Sequence, residues 1–189
     1  MSEIWLTSDL HFFHDRGFIY EPRGFKSIRE MNDAIIERYN RLVKPEDDVY
    51  ILGDLLLGGP DNLERGLKLI GELNGKLHLV RGNHDTDTRW AAYSTLQNVV
   101  EQQNAIYLKH MGYHFFMTHY PCFTANLEKE SLKQCTINLY GHTHQHTNFY
   151  QDIPFMYHVG VDSHECEPVD IMDAITNMKL KVAECINKI

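Results

Sequence analysis

The stretch LHLVRGNHD, residues 77–85, joins a mostly apolar run to a cluster of turn-forming and chemically active residues. Leu77 to Val80 has the length and the β-favouring composition of a buried strand. Gly82 follows, and a glycine permits the sharp turn and close backbone approach needed to place a polar group at a strand end. The stretch therefore predicts a buried strand that delivers Asn83 to one edge of a sheet.

The same pattern occurs twice upstream, in IWLTSDLH (4–11) and in VYILGD (49–54). Between these strands, apolar residues recur at helical spacing from Ile28 to Lys44, after a Ser27/Glu30 capping box and before Pro45. Residues 61–73 predict a second helix, closed by Asn74-Gly75. The first half therefore alternates strands with helices.

The second half is richer in strands. Residues 105–109 and 113–118 flank Gly112 and predict a hairpin, while 136–140 and 155–161 predict further strands. Residues 88–97 and 171–178 have helical patterns. No low-complexity linker or repeat separates the halves. We therefore expect one α/β domain over residues 1–189, with two packed β-sheets flanked by helices.

Composition excludes several classes of function. Lys plus Arg total 18 against 26 Asp plus Glu, a formal charge of −8, which argues against general binding of duplex DNA. Phosphate chemistry stays open, because divalent metals can supply positive charge locally. The apolar stretches are shorter than a membrane span, and the start lacks the basic and apolar regions of a signal peptide. We expect no membrane association and a cytoplasmic location.

Twelve histidines are the unusual feature of the composition. Several follow apolar strands, together with carboxylate and amide side chains. Asp9 and His11 are two residues apart, so on an extended segment both would point the same way and could hold one ion. Five strand ends together present a set of metal ligands: Asp9, His11, Asp54, Asn83, His119, His142 and His144.

Each of these residues also has an ordinary structural interpretation. An Asp-x-His pair can belong to a turn, Gly-Asp is common, and a lone histidine such as His119 is usually structural. The run Gly82 to Asp85 can be a loop rich in turn formers. Their occurrence in order, each directly after an apolar strand, favours a functional site.

These residues resemble a known family. SDLH (8–11), GD (53–54), GNHD (82–85), His119 and GHTH (141–144) resemble the five blocks of the calcineurin-like metallophosphoesterases, especially small single-domain bacterial and phage members. The resemblance implies a four-layer α/β/β/α sandwich. It also implies hydrolysis of a phosphoester by in-line attack of a hydroxide that bridges two metal ions.

The resemblance also implies a role for each residue. Asp9, His11 and His144 would hold the first ion, Asn83, His119 and His142 the second, and Asp54 would bridge both. Oxygen and imidazole ligands without cysteine favour Mn²⁺ or Fe²⁺, with Zn²⁺ or Ni²⁺ as alternatives.

Further residues are candidates for contact with substrate. His84 would protonate the leaving group or stabilise charge on the phosphoryl group. Asp85 would either orient His84 or cap the following helix. The additional histidine His14 marks a subgroup of the family, and His146 is a weaker candidate of the same kind. Arg16 and Arg23 could clamp a phosphate, although solvated loop charges are the ordinary interpretation.

The expected function is a metal-dependent phosphoesterase for a phosphate-ester small molecule, of phosphodiester or nucleotide type. A non-catalytic scaffold of the same fold, resembling the retromer subunit of the superfamily, is one alternative. A small nuclease is another, although the chain has little room for a substrate-capping region. The sequence specifies neither the substrate nor the oligomeric state.

Overall fold

The computed structural model describes residues 2–59, 61–124, 131–144 and 153–186. The elements of the first half are β1 (Ile4–Thr7), α1 (Gly17–Tyr20), α2 (Ile28–Leu42), β2 (Asp48–Ile51), α3 (Asp61–Gly71), β3 (Lys76–Val80), α4 (Asp87–Tyr93) and β4 (Val99–Gln103). The second half contains β5 (Ile106–His110), β6 (Tyr113–Met117), β7 (Thr136–Tyr140), β8 (Met156–His158), β9 (Val169–Asp170) and α5 (Ile171–Ile186).

The strands form two mixed sheets. The first has the order β4-β3-β2-β1-β9, with β1 to β4 parallel and β9 antiparallel at the edge. The second has the order β5-β6-β7-β8, in which the β5–β6 hairpin is antiparallel and the other pairs are parallel. The α/β class with two sheets flanked by helices is thereby confirmed.

Alternation along the strands divides the apolar residues between two cores, because successive side chains point to opposite faces of a sheet. Trp5 of β1 faces α2 and α3, whereas the adjacent Leu6 faces the second sheet. The outer core includes Met31, Ile35, Val49, Ile51, Ile70, Leu77 and Leu79. The inner core includes Tyr50, Leu52, Phe115, Met117, Ile137, Leu139 and Met178.

The parallel pairing sets the position of the polar strand ends. Strands β1, β2 and β3 all end at one edge of the first sheet, and β6, β7 and β8 end at one edge of the second. A parallel bridge between Ser8 and Gly160 joins the end of β1 to the segment after β8. The two edges therefore lie side by side, which is where open α/β sheets place their ligands.

Three short elements were not predicted from the sequence: α1, β4 and β9. Strand β4 has no buried residue, so its sequence VVEQQ lacks the alternation of a half-buried strand, and it is held by backbone pairing with β3. Helix α5 extends beyond the predicted Met178. In the described residues, no helix is long and apolar enough to cross a lipid bilayer.

Asp47 is a buried carboxylate that joins the end of α2 to β1. It accepts hydrogen bonds from the backbone N–H groups of Glu3 and Lys44, both at 2.9 Å, and from the Trp5 indole at 3.2 Å. Burial raises the pKa of Asp47, but these hydrogen bonds outweigh burial and leave the pKa below its ordinary value.

We predict that Asp47→Ala lowers the free energy of unfolding by about 2–3 kcal/mol, because three donors lose a charged acceptor. The control Asp33→Ala removes an exposed carboxylate of an α2 ion pair and should cost less than about 0.5 kcal/mol. Urea denaturation at several pH values measures both.

The folded-state pKa of Asp47 lies below the unfolded value of about 3.9. The contribution of Asp47 to the free energy of unfolding is therefore complete above about pH 3.9 and is lost as the pH falls through the folded-state pKa. The difference in free energy of unfolding between wild type and Asp47→Ala should therefore become smaller at acidic pH. Equal stability of the two proteins at neutral pH would contradict the assignment.

Candidate metal centre

The candidate ligands follow β1, β2, β3, β6 and β7, and many have unusual backbone conformations. The φ angles of Asp9, His11, Asp54, His142 and His144 are 59°, 50°, 56°, 71° and 46°. The left-handed region is sparsely populated by residues with a side chain, and such residues cluster at functional sites. The prediction that Asp9 and His11 share a face of an extended segment was wrong, since β1 ends at Thr7 and both residues lie in left-handed turns.

Asp9 is fully buried and held through one of its two oxygens. Oδ2 lies 2.6 Å from the Ser8 hydroxyl and accepts the His142 N–H at 2.9 Å. A Cβ atom on Gly141 would overlap the Ser8 hydroxyl and the Asp9 carboxylate, so glycine is required there for close approach. Oδ1 is buried and has no hydrogen-bond partner in the described structure. Asp9 thus presents one unsatisfied anionic oxygen to the site.

That oxygen faces two imidazoles. His144 Nε2 lies 3.7 Å from Asp9 Oδ1 and His11 Nε2 lies 3.9 Å from it. The two Nε2 atoms are 2.9 Å apart. Burial, followed by the neighbouring His144, holds the pKa of His11 well below its ordinary value. A neutral His11 keeps a lone pair available for an ion.

A second group converges beside the first. His119 Nδ1 lies 2.8 Å from the Leu52 carbonyl, which can only accept, so Nδ1 carries the proton and donates. The lone pair on His119 Nε2 then faces Asn83 Oδ1 at 2.8 Å. His142 Nδ1 lies 2.9 Å from the same amide oxygen. Burial lowers the pKa of His142, so this ring favours its neutral form.

Asp54 lies between the two groups. Its Oδ2 atom is 3.7 Å from His11 Nε2 and 3.5 Å from His119 Nε2, while Oδ1 accepts the His84 N–H at 2.8 Å. A Cβ atom on Gly82 would overlap the Asp54 carboxylate, which explains the Gly-Asn block. Burial raises the pKa of Asp54 to about 6. One carboxylate oxygen therefore faces both sets of candidate ligands.

The donor set fits divalent metal ions. Ligands bound to one ion at about 2.1 Å lie about 3–4 Å from each other, and the carboxylate–imidazole separations above fall in that range. Two triads, Asp9-His11-His144 and Asp9-Asp54-His119, each bring their ligand atoms within 4.8 Å. The unsatisfied Asp9 Oδ1 and the His119 lone pair directed at the Asn83 amide oxygen supply the independent reason for a cation.

His84 stands on the open side of this site. Its side chain is 41% exposed, and Nε2 lies 4.0 Å from Asp54 Oδ2. A cavity of about 480 Å³ opens there, lined by His84, His11 and His144 and by the predicted substrate residue His14. Another cavity of about 470 Å³, between α2 and α3, contains none of the candidate ligands.

His14 lines the cavity, whereas Arg16 is not among its described lining residues. His14 Nδ1 is 3.3 Å from His11 Nδ1, and burial, followed by His84, lowers the pKa of His14 to about 4. Arg16 is exposed and close enough to contribute to that shift. The other predicted histidine, His146, lies outside the described residues.

The model of the calcineurin-like phosphoesterase superfamily domain matches residues 3–161 of this chain. The chain belongs to this superfamily. A relative named uncharacterized protein MJ1445, from Methanocaldococcus jannaschii, is 30% identical over 197 residues, covering 99% of this chain and 98% of the relative.

Two solved structures share the fold of this superfamily member. The protein of unknown function AQ665 from Aquifex aeolicus has a TM-score of 0.68 and 22% identity, covering 93% of this chain and 99% of its own. YfcE, a phosphoesterase from E. coli, has a TM-score of 0.50 and 20% identity, covering 84% of this chain and 78% of its own. The likeness extends beyond the five blocks to the arrangement of the elements.

Asp162 is a residue of the site that the sequence analysis missed. Its Oδ2 accepts from His144 Nδ1 at 3.0 Å, which leaves His144 Nε2 free to face Asp9. Burial raises the pKa of Asp162, but the hydrogen bond from His144 and the Arg23 charge outweigh burial and lower it. Its available signal was its position, shortly after the apolar strand β8.

Arg23 does not occupy the position predicted for a phosphate clamp. Its side chain is 1% exposed and forms two hydrogen bonds to Asp162, at 2.8 and 2.9 Å. It also donates to the Asp9 carbonyl at 2.9 Å. The Asp162 carboxylate neutralises the charge of Arg23. Arg23 therefore positions the ligand residues and does not face the substrate.

Asp85 differs from both of its predicted roles. It accepts hydrogen bonds from the backbone N–H groups of Asp54 and Gly82 and from the Tyr93 hydroxyl. The N-cap of α4 is Thr86, and both Asp85 oxygens accept from these donors rather than from the His84 ring. Asp85 is therefore a positioning residue that joins the ends of β2 and β3.

Tyr120 was also missed, although it directly follows His119. Its ring centroid lies 5.1 Å from that of His119 and 4.6 Å from that of His142. The residue is half exposed. It packs on the two imidazoles of the second group and limits their movement.

We predict that Asp162→Asn weakens metal binding about 10–100-fold, because His144 loses the carboxylate that fixes its tautomer. Isothermal titration of metal-free protein with Mn²⁺ measures the change. Asp173→Asn, on the exposed face of α5, is the control and should bind as wild type. Unchanged affinity of Asp162→Asn for Mn²⁺ would show that Asp162 does not position His144 for metal binding.

Proposed function

We propose that the protein is a phosphoesterase that depends on two divalent metal ions and hydrolyses a phosphodiester or nucleotide-type substrate. Asp9, His11 and His144 would hold one ion, Asn83, His119 and His142 the other, with Asp54 shared. Mn²⁺ or Fe²⁺ suits these oxygen and imidazole donors, and we propose Mn²⁺ as the first metal to test.

The observation that carries this proposal is the position of Asp54 Oδ2, 3.7 Å from His11 Nε2 and 3.5 Å from His119 Nε2. A carboxylate that faced one group alone would suit a single ion. Facing both, and oriented by the His84 N–H through its other oxygen, it suits a pair. Bound ions would supply positive charge to the phosphate oxygens and activate water for attack.

The residues of the chain perform the remaining steps. His84 projects from the loop after β3 toward the open cavity, with its backbone carbonyl held by Arg89 at 2.6 Å. The bridging ester oxygen would leave as an alkoxide unless it received a proton. His84 is placed to supply that proton from Nε2. Asp85, buried beneath the loop, fixes the Asp54 and Gly82 backbone and so the relative positions of ligand and acid.

The first test is dependence on metal. We expect chelator-treated protein to be inactive toward bis(p-nitrophenyl) phosphate and Mn²⁺ to restore turnover. Asp54→Asn should lower kcat by about 100-fold or more, since one change weakens both ion sites. Asp33→Asn, an exposed substitution, should leave kcat unchanged. Full activity in chelator-treated protein that is shown to contain no metal would contradict the proposal.

A second test separates metal binding from chemistry. His84→Ala should keep both metals, measured by mass spectrometry, while kcat falls roughly 10²–10⁴-fold on an unactivated diester. The loss should shrink with a nitrophenolate leaving group, which hardly needs a proton. Release of one metal would show that His84 is a ligand. Unchanged turnover on both esters would leave His84 without a role in proton transfer.

A further inference from the structure

The cavity beside the candidate metal centre has two different walls. One wall consists of His11, His84 and His144, which belong to the centre. The second wall consists of His14 and of residues from the segment that follows, Phe18, Ile19 and Pro22, and it adjoins the first through the contact between His14 and His11. The second wall is apolar and aromatic, and nothing in the chemistry of phosphoester hydrolysis requires it.

Phe18 is the residue of this wall that the fold itself does not explain. Helix α1 is only four residues long, and Ile19 anchors it with 7% of its surface exposed. The adjacent Phe18 is 70% exposed, so its ring contributes little to the core. The ring meets His14 edge-to-face, with centroids 5.6 Å apart and planes at 88°. The contact presents the Phe18 ring at the cavity in a defined orientation.

The charge of the lining indicates what the wall can bind. No lysine or arginine lines this cavity in the described parts of the chain, and its one carboxylate, Asp162, is paired with Arg23. A second phosphate or a carboxylate would therefore find no lysine or arginine among the described lining residues. A flat, uncharged ring would find an exposed aromatic face beside aliphatic side chains.

We propose that Phe18 and His14 form a subsite for the nucleobase of the substrate, which makes the substrate a nucleotide rather than an aliphatic phosphoester. The inference rests on the proposed function, because it assumes that the phosphate lies at the metal centre. The continuity of the cavity with His84 and His144 places the two subsites next to each other. Stacking tolerates any base, so Phe18 selects for a base without selecting which one.

The test uses binding, so that it does not depend on turnover. Mn²⁺-loaded protein is titrated with adenosine 5′-monophosphate, with ribose 5-phosphate and with inorganic phosphate. We expect the base to improve affinity about tenfold or more over ribose 5-phosphate. Phe18→Ala should remove most of that gain and leave the other two affinities unchanged. Phe18→Trp should restore it.

The control Tyr107→Ala removes an exposed aromatic residue of β5, outside this cavity, and should bind all three ligands as wild type. Equal affinity of wild type for the nucleotide and for ribose 5-phosphate would overturn the subsite and leave the proposed hydrolysis intact. An equal loss for all three ligands in Phe18→Ala would overturn it too. Base-dependent binding without any hydrolysis would support the subsite while contradicting the proposed catalysis.

Discussion

Two buried carboxylates, Asp9 and Asp54, place oxygens within 4.8 Å of each other and of the His119 ring. Like charges at that distance in a poorly solvated site repel, and without a cation one of them tends to take a proton. The raised pKa of Asp54 reflects its burial, with Asp9 adding to it. The surrounding structure holds the pair together against this repulsion.

The means of holding the pair are spread over the whole sheet edge. Backbone N–H groups and the Ser8 hydroxyl fix one oxygen of each carboxylate, leaving the other directed inward. Gly82 and Gly141 allow the neighbouring strands to approach, and several ligand residues adopt left-handed conformations. The left-handed conformations and the closeness of the two buried carboxylates cost free energy in the folded chain. A bound cation would offset that cost, which links metal affinity to the stability of this edge.

The sequence was sufficient for whatever depends on local patterns. Apolar runs predicted strands such as Thr136–Tyr140, helical spacing predicted α2, and the order of the motifs predicted the fold class. It also identified residues that the structure brings together, because each follows a strand of a parallel pair. It failed for Arg23 and Asp162, which are 139 residues apart and meet only in the tertiary structure. The burial of an arginine depends on that partner, and no local pattern reports it.

Arg23 has a consequence for how this protein can diverge. The segment between β1 and α2 contains both Phe18 and Arg23. The Arg23 guanidinium donates hydrogen bonds to the Asp9 and Leu10 carbonyls and to Asp162. An insertion or exchange in this loop would therefore alter ligand preference and disturb the support of His144 in one step. Descendants with new substrates should accumulate their changes in residues 15–20, with compensating substitutions near Asp162. In laboratory evolution, libraries that vary residues 15–20 and retain this arginine should yield more metal-competent variants than full loop exchange.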